Sequence, residues 1–258
     1  SYVTLVIKNK AQIEKEFPSV KIIPLDKNYG FAYATNIGMK EALSKGSNYI
    51  ALLNNDTKVD KEWLIELVKV TESDPSGKIG ICASKMVFMS DPKILNSTGH
   101  VFRFGEIIDR GYSKIDKEQY DNKLDVIGAC AGACLYRKEM LEQLCLFDES
   151  FVNYYEDSDL SWRAFKSGWK AKYAPKSVVY HVHCGTTHKD KETIEIMDKQ
   201  RLINSVKITK KHASIFQKLL LSIWWLQLFI RYGIKRIFNK KIGIGIPYLE
   251  RLIRLWLK

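Results

Sequence analysis

Residues 20–57 read VKIIPLDKNYGFAYATNIGMKEALSKGSNYIALLNNDT, and the period of their apolar residues changes twice. Val20 to Leu25 is a short apolar run stopped by Pro24 and Asp26, which predicts a strand. Ala34 to Leu43 carries helical spacing that ends before Gly46, and Tyr49 to Leu53 is again a short run of the buried-strand kind. A polar knot, Asn54-Asn55-Asp56-Thr57, follows at once. Beyond it a second helix is predicted, with Asp60 as N-cap and Trp63, Leu64, Leu67 and Val68 on one face. Strand and helix alternating in this way build an open α/β sheet, where polar residues just past a strand's carboxyl end lie beside the ligand.

Outward from this core the signals vary. Tyr2 to Ile7 is strand-like from the outset, and Ile79 to Asp125 has short apolar runs (Met86 to Met89, His100 to Phe104) that predict irregular β-structure with long loops. Gly128 to Leu135, GACAGACL, is small enough to allow close backbone approach. Val178 to Tyr180 predicts a further strand, followed by His181, His183 and Cys184. There is no internal repeat or low-complexity segment.

Charge is unevenly spread. Residues 207–258 hold twelve Lys and Arg against Glu250 alone, so they carry +11 of the formal +12 and leave the body nearly neutral. This division predicts a domain over 1–206 and a basic tail over 207–258. Within the tail, Ile215 to Ile230 is apolar with Trp224 and Trp225 but too short for a confident span, and Tyr248 to Lys258 has the pattern of a basic amphipathic helix. Such helices predict an anchor on anionic lipid; bulky aliphatics such as Leu219, Leu220, Leu221 and Leu228 suit hydrocarbon better than a phosphate groove, so nucleic acid is not an expected partner. The five cysteines form no disulfide framework and suit a reducing compartment. No charged leader with an apolar stretch and cleavage site opens the chain, so the cytoplasmic face of a membrane, in peripheral association, is the expected location.

Three places carry candidate chemistry. Asp56 follows a buried strand and offers a hard oxygen ligand for Mg²⁺ or Mn²⁺, while an Asx-type turn would use the same residue. Glu156, Asp157 and Asp159 crowd the start of a predicted helix in FVNYYEDSDLSWRAFKSGW (151–169), where the backbone dipole favours an ionised base and equally favours acids kept only for stability. His181 could join Asp56 around one metal, or pack at a strand end. The loop Asp26 to Ala32 is too sparse in glycine for either phosphate fingerprint, yet Gly30 allows close approach and Asn36 could bond a base or ribose. A zinc site from Cys130, Cys134 and the later His and Cys residues fits no standard spacing.

In order, NYGFAYATNIG (28–38), ALLNNDT (51–57), GACLYRKE (132–139), FDESFVNYYEDSDLSWRAFKSGWK (147–170) and YAPKSVVYH (173–181) resemble the inverting GT-A glycosyltransferases. The likeness is to the large branch that includes bacterial rhamnosyltransferases and cell-surface polysaccharide enzymes. It implies an α/β GT-A fold with an open mixed sheet flanked by helices, apparently lacking its first strand, and C-terminal amphipathic helices. Lys8-Asn9-Lys10 stands where an acidic donor-contacting turn is usual. By the resemblance Asp157 is the catalytic base, Asp56 and His181 hold a divalent cation, and Asn54 replaces an acid of the metal triplet. Asp26, Asn28, Gly30, Asn36, Asn54 and Asn55 fall on the donor side; Glu156, Asp159, Trp162 and Arg163 fall towards the acceptor. The implied partners are a dTDP- or UDP-sugar and a glycan or lipid-linked acceptor, and the runner-up is a degenerate membrane-bound scaffold or sugar-binding subunit.

Overall fold

The computed structural model describes residues 3–6, 10–103, 106–182, 191–212 and 214. Residue 213 and residues 215–258, with both apolar segments of the tail, and His183 and Cys184 lie outside the described residues.

The expected alternation is present. A strand β1 (Val3–Val6), a helix α1 (Lys10–Glu16) and a strand β2 (Lys21–Pro24) lead into helix α2 (Phe31–Ser44) and strand β3 (Tyr49–Leu53). β1 and β2 pair in parallel as a sheet of their own. Thr57–Val59 is not part of a turn, as the polar knot suggested, but a short strand β4, and helix α3 (Trp63–Glu72) follows. Its N-cap residue is Glu62; Asp60 contributes its carbonyl to the Trp63 amide at 3.0 Å rather than a side-chain cap.

The middle of the chain departs from the expected irregular β-structure. Ile79–Phe88 is one ten-residue strand, β5, with its first nine residues buried. Lys85 interrupts its apolar pattern without ending it, because its ammonium meets Asp121 at 2.9 Å and Asp116 at 3.2 Å. After β5 come β6 (Asp91–Ser97), a hairpin of β7 (His100–Arg103) and β8 (Glu106–Asp109), β9 (Asp125–Val126) and β10 (Ala133–Arg137). Helix α4 (Lys138–Leu144) and a 3-10 turn at Glu149–Phe151 precede helix α5 (Glu156–Lys166). The last strand, β11 (Lys170–His181), is far longer than its apolar end implied and absorbs Pro175 and Lys176 at a register shift. Helix α6 (Lys191–His212) closes the described chain and runs through the expected boundary at 206/207.

The main sheet has the order β3-β10-β5-β11-β4. β10 is antiparallel to both β3 and β5, and β5 is parallel to β11, so β3, β5 and β11 point the same way. Alternate residues divide the core between the two faces. Ile81, Ala83, Cys134 and Tyr136 pack with Met39 of α2, Met140 of α4 and Leu160 of α5. Cys82, Met86, Ala133 and Leu135 pack with Trp63 and Leu67 of α3 on the other. Asp56, the start of β10 and His181 thus gather at one edge of the sheet, where the three parallel strands end.

Gly128 fixes how closely α5 approaches that edge. A Cβ at this position would land on the Ser161 side chain, and Ser161 sits on the inner face of α5 with its hydroxyl 3.2 Å from His100 Nδ1. Gly128→Ala is expected to lower stability by about 1–3 kcal/mol, the usual range for overpacking a tight contact, as read by urea unfolding.

Candidate active site

The segment Cys130 to Gly132 joins two halves of a cleft. On one side the Gly132 carbonyl accepts the Asn54 amide at 2.9 Å, which ties the end of β3 and hence Asp56 to this strand. On the other, the Ala131 amide donates to Asp157 Oδ2 at 3.0 Å. Asp157 therefore stands two residues of backbone away from the loop that carries Asp56.

The metal-side pair is equally close. His181 Nε2 lies 3.2 Å from Asp56 Oδ1, and backbone bonds from Val182 to the Asp56 carbonyl and from Met89 to the His181 carbonyl knit the strand ends together. His181 Nδ1 faces Asn96 Oδ1 at 2.9 Å, which fixes the orientation of the ring. Burial lowers the His181 pKa, with Asp56 partly opposing, so the ring is neutral at pH 7. Asp56 Oδ1 is buried and has no hydrogen-bond partner among the described residues. A carboxylate and an imidazole 3.2 Å apart are two side-chain types that can ligate a divalent cation. Among the described residues there is no group of three or more His, Cys, Asp or Glu that could hold a metal ion.

At the other end, Asp157 opens helix α5. The Ser158 amide adds a second donor, to Oδ1 at 2.6 Å, and the side chain is 15% exposed. Glu156 beside it is almost wholly buried; burial, and then the Asp157 charge, push its carboxyl well above the usual range. Of the two carboxylates, Asp157 is the one supplied with backbone N–H donors. Behind them His100 Nε2 lies 4.0 Å from Asp157 Oδ2 and 3.6 Å from Asp109 Oδ1. Asp109, which also accepts the Ser97 hydroxyl at 2.6 Å, is raised by burial and feels both His100 and His181, so it sits between Asp157 and the Asp56–His181 pair. The reading of the sequence missed His100 and Asp109; their only signal was a histidine after Gly99 in a β-rich stretch, with an acid one hairpin later.

The donor-side residues divide. Asp26, Asn28 and Asn55 are exposed on loops, and Asn54 is half-buried beside Gly132. Asn28 Oδ1 accepts the Gly30 amide at 2.9 Å, an Asx turn. Gly30 has φ 90° and would drive a Cβ to within 2.8 Å of the Val152 carbonyl, so its smallness serves packing against residues 151–155. Asn36 is buried and fully engaged: its amide donates to the Phe147 carbonyl and to Glu149, both at 2.9 Å, and its oxygen accepts the Phe147 amide at 3.0 Å. It clamps α2 to the loop after α4 instead of reaching a base or ribose. The first amides of α2 are also taken, by Asn153 Oδ1 at 2.9 Å and the Val152 carbonyl at 3.0 Å.

Three of the four acceptor-side candidates face inward. Asp159 is fully buried against Arg163 (2.8 Å), Lys211 (2.8 Å) and His212 (2.6 Å). Arg163 also donates to the carbonyls of Leu144, Cys145 and Leu146, closing the end of α4. Trp162 is buried and stacks on the His212 ring at 5.1 Å. These side chains lie on the face of α5 that α6 covers, which leaves Glu156 alone beside Asp157.

Comparison with known proteins gives the family and the fold. The profile of Glycosyl transferase family 2 matches residues 6–145. The match covers more than half of the chain, which belongs to that family. An N-acetylglucosaminyl-diphospho-decaprenol L-rhamnosyltransferase of Mycobacterium tuberculosis is 37% identical over 65 residues, 25% of this chain and 21% of that protein. The chain therefore spans about a fifth of the curated relative it matches. Among solved structures, GalNAc-T7 with UDP, GalNAc and Mn²⁺ superposes with a TM-score of 0.59 at 15% identity, over 81% of this chain and 42% of that one. The mannosyltransferase PcManGT of Pyrobaculum calidifontis, in complex with GDP-Man and Mn²⁺, gives 0.53 at 12% identity over 99% and 76%. S. aureus TarS 1–349 gives 0.54 at 12% identity over 98% and 68%. These likenesses define a GT-A fold.

Two acids that dock α6 set a pH dependence. Burial opposes ionisation of Asp159, but hydrogen bonds from His212 and Lys211 outweigh it; Asp148 is likewise lowered by Lys211 and Ser150. Both are held below the ordinary value of about 3.9, so their stabilisation is complete above that pH and is lost as pH falls through the lowered values. Unfolding free energy should decline with acid below about pH 4, and Asp159→Asn should flatten that decline, as followed by urea titration at a series of pH values.

Proposed function

We propose that the protein transfers a sugar from a nucleoside-diphosphate donor to an acceptor hydroxyl by a single displacement that inverts the anomeric centre. The observation that carries this reading is that Asp157 and the loop of the Asp56–His181 pair are both hydrogen-bonded to one short turn, 131–132, at the start of β10.

Asp157 takes the proton of the attacking hydroxyl. Its carboxylate is oriented by the Ala131 and Ser158 amides, and the neighbouring Glu156 is raised by burial and then by the Asp157 charge. The acceptor oxygen must come within about 3 Å of it to be deprotonated as it attacks. Asp56 and His181 would hold the divalent cation, Mn²⁺ or Mg²⁺, whose chemistry is to neutralise the charge gathering on the departing diphosphate. Asp26, Asn28, Asn54 and Asn55 border the donor side. UDP, GDP-Man and Mn²⁺ in the named neighbours support a nucleotide sugar and a cation. The name of the mycobacterial relative supports a lipid-linked acceptor. That acceptor would be met at the cytoplasmic face of a membrane, with the basic residues of 207–258 drawn to anionic lipid. No described helix is long and apolar enough to cross a membrane.

A panel of dTDP-, UDP- and GDP-sugars with Mn²⁺ and a lipid-linked glycan acceptor should yield released nucleoside diphosphate. Asp157→Asn is expected to cut turnover by about 10²- to 10⁴-fold while nucleotide binding by calorimetry persists. Chelation with EDTA should abolish release and added Mn²⁺ restore it. Nucleotide binding without release from any donor would replace this reading with that of a sugar-nucleotide-binding scaffold.

A further inference from the structure

The loop that delivers Glu156 and Asp157 to the cleft has an unusual backbone. Val152, Tyr154 and Tyr155 have φ of 62°, 68° and 72°. At Val152, with ψ −70°, the Asn153 amide closes back on the Phe151 carbonyl at 2.7 Å, a three-residue γ-turn of the strained hand. For a β-branched residue this conformation is a genuine outlier, held only when the surroundings over-determine it.

The surroundings that hold it come from α6. Asn204 is 1% exposed, and its Nδ2 lies 2.8 Å from each of the carbonyls of Phe151, Asn153 and Tyr154. Its own oxygen accepts the Gln200 amide at 3.0 Å, which fixes the side chain from the same helix. One turn either side, Arg201 lies over the Tyr154 ring and Lys207 over that of Phe151. On its far side the loop meets α2, through Val152, Asn153 and Gly30. Asn204 is the central member of this stripe and bonds backbone on both sides of the strained residue.

We propose that Asn204 is a positioning residue, which holds residues 151–155 in their left-handed course so that Asp157 meets the Ala131 amide at the correct point of the cleft. It acts through the loop and touches no reacting atom. The proposal rests on the transferase reading for its kinetic consequence and on geometry alone for its structural one, and the two are tested separately.

Asn204→Ala and Asn204→Leu both remove the donors, and the second retains most of the volume. Amide hydrogen exchange read by mass spectrometry should quicken at least tenfold in peptides over 151–157 and stay within twofold in β5 and β11. Turnover should fall at least 30-fold in both variants with the donor KM within threefold. Val152→Gly relieves the strain, so adding it to Asn204→Ala should recover thermal stability without recovering turnover; this pair also serves if the single variants do not fold. Unchanged exchange over 151–157, an equal rise throughout the chain, or wild-type turnover in Asn204→Leu would overturn the proposal. A wild-type protein without turnover on any donor would instead overturn the transferase reading, and the exchange and stability results would still decide the role of Asn204.

Discussion

Two backbone hydrogen-bonding groups, the Ala131 N–H and the Gly132 C=O, set the distance between the halves of the cleft. One receives the carboxylate that begins α5 and the other receives the amide at the end of β3. Because both belong to adjacent residues entering a buried strand, neither end can shift without disturbing the centre of the sheet. The small residues of GACAG make this approach possible: at Gly128 any side chain would collide with α5, and at Gly132 a Cβ would already press on Met86 at 3.1 Å. Geometry is thus fixed by the absence of side chains as much as by their presence.

Electrostatics then divides labour among acids that look alike in sequence. Four carboxylates, Glu156, Asp157, Asp159 and Asp109, lie around the start of α5, and their surroundings differ. Glu156 and Asp109 are raised by burial, whereas Asp159 is held ionised by donors from α6. Asp157 has backbone donors and partial contact with solvent, the setting in which a carboxylate can exchange protons with something that arrives. In a low-dielectric cleft these differences are large compared with those on an open helix end.

Much of this was legible in the chain and some was not. The period changes over 20–57 gave the alternation of elements, and the acids after β3 and before α5 marked both ends of the cleft, because those signals are local. Strand lengths were not legible: β5 and β11 begin well before the apolar runs at Met86 and Val178, because Lys85 is neutralised by acids some thirty residues later and Pro175 sits in a register shift. Nor could the direction of a polar side chain be read. Asn36, Asp159 and Arg163 turn inward because partners distant in sequence, in the loop after α4 and in α6, complete their hydrogen bonds. The basic run that seemed to belong wholly to a tail likewise begins inside α6, where Lys207 and Lys211 meet Ser150, Asp148 and Asp159.

The capped start of α2 has a bearing on how charge is balanced. A helix beginning with bare N–H groups is a ready anion cradle, but here Val152 and Asn153 have filled it from within the protein. Under the proposed reading, a diphosphate entering beside the Asn28–Gly30 turn would find that dipole already spent on the loop. Its negative charge would then have to be answered from the sheet edge, by a cation held at Asp56 and His181.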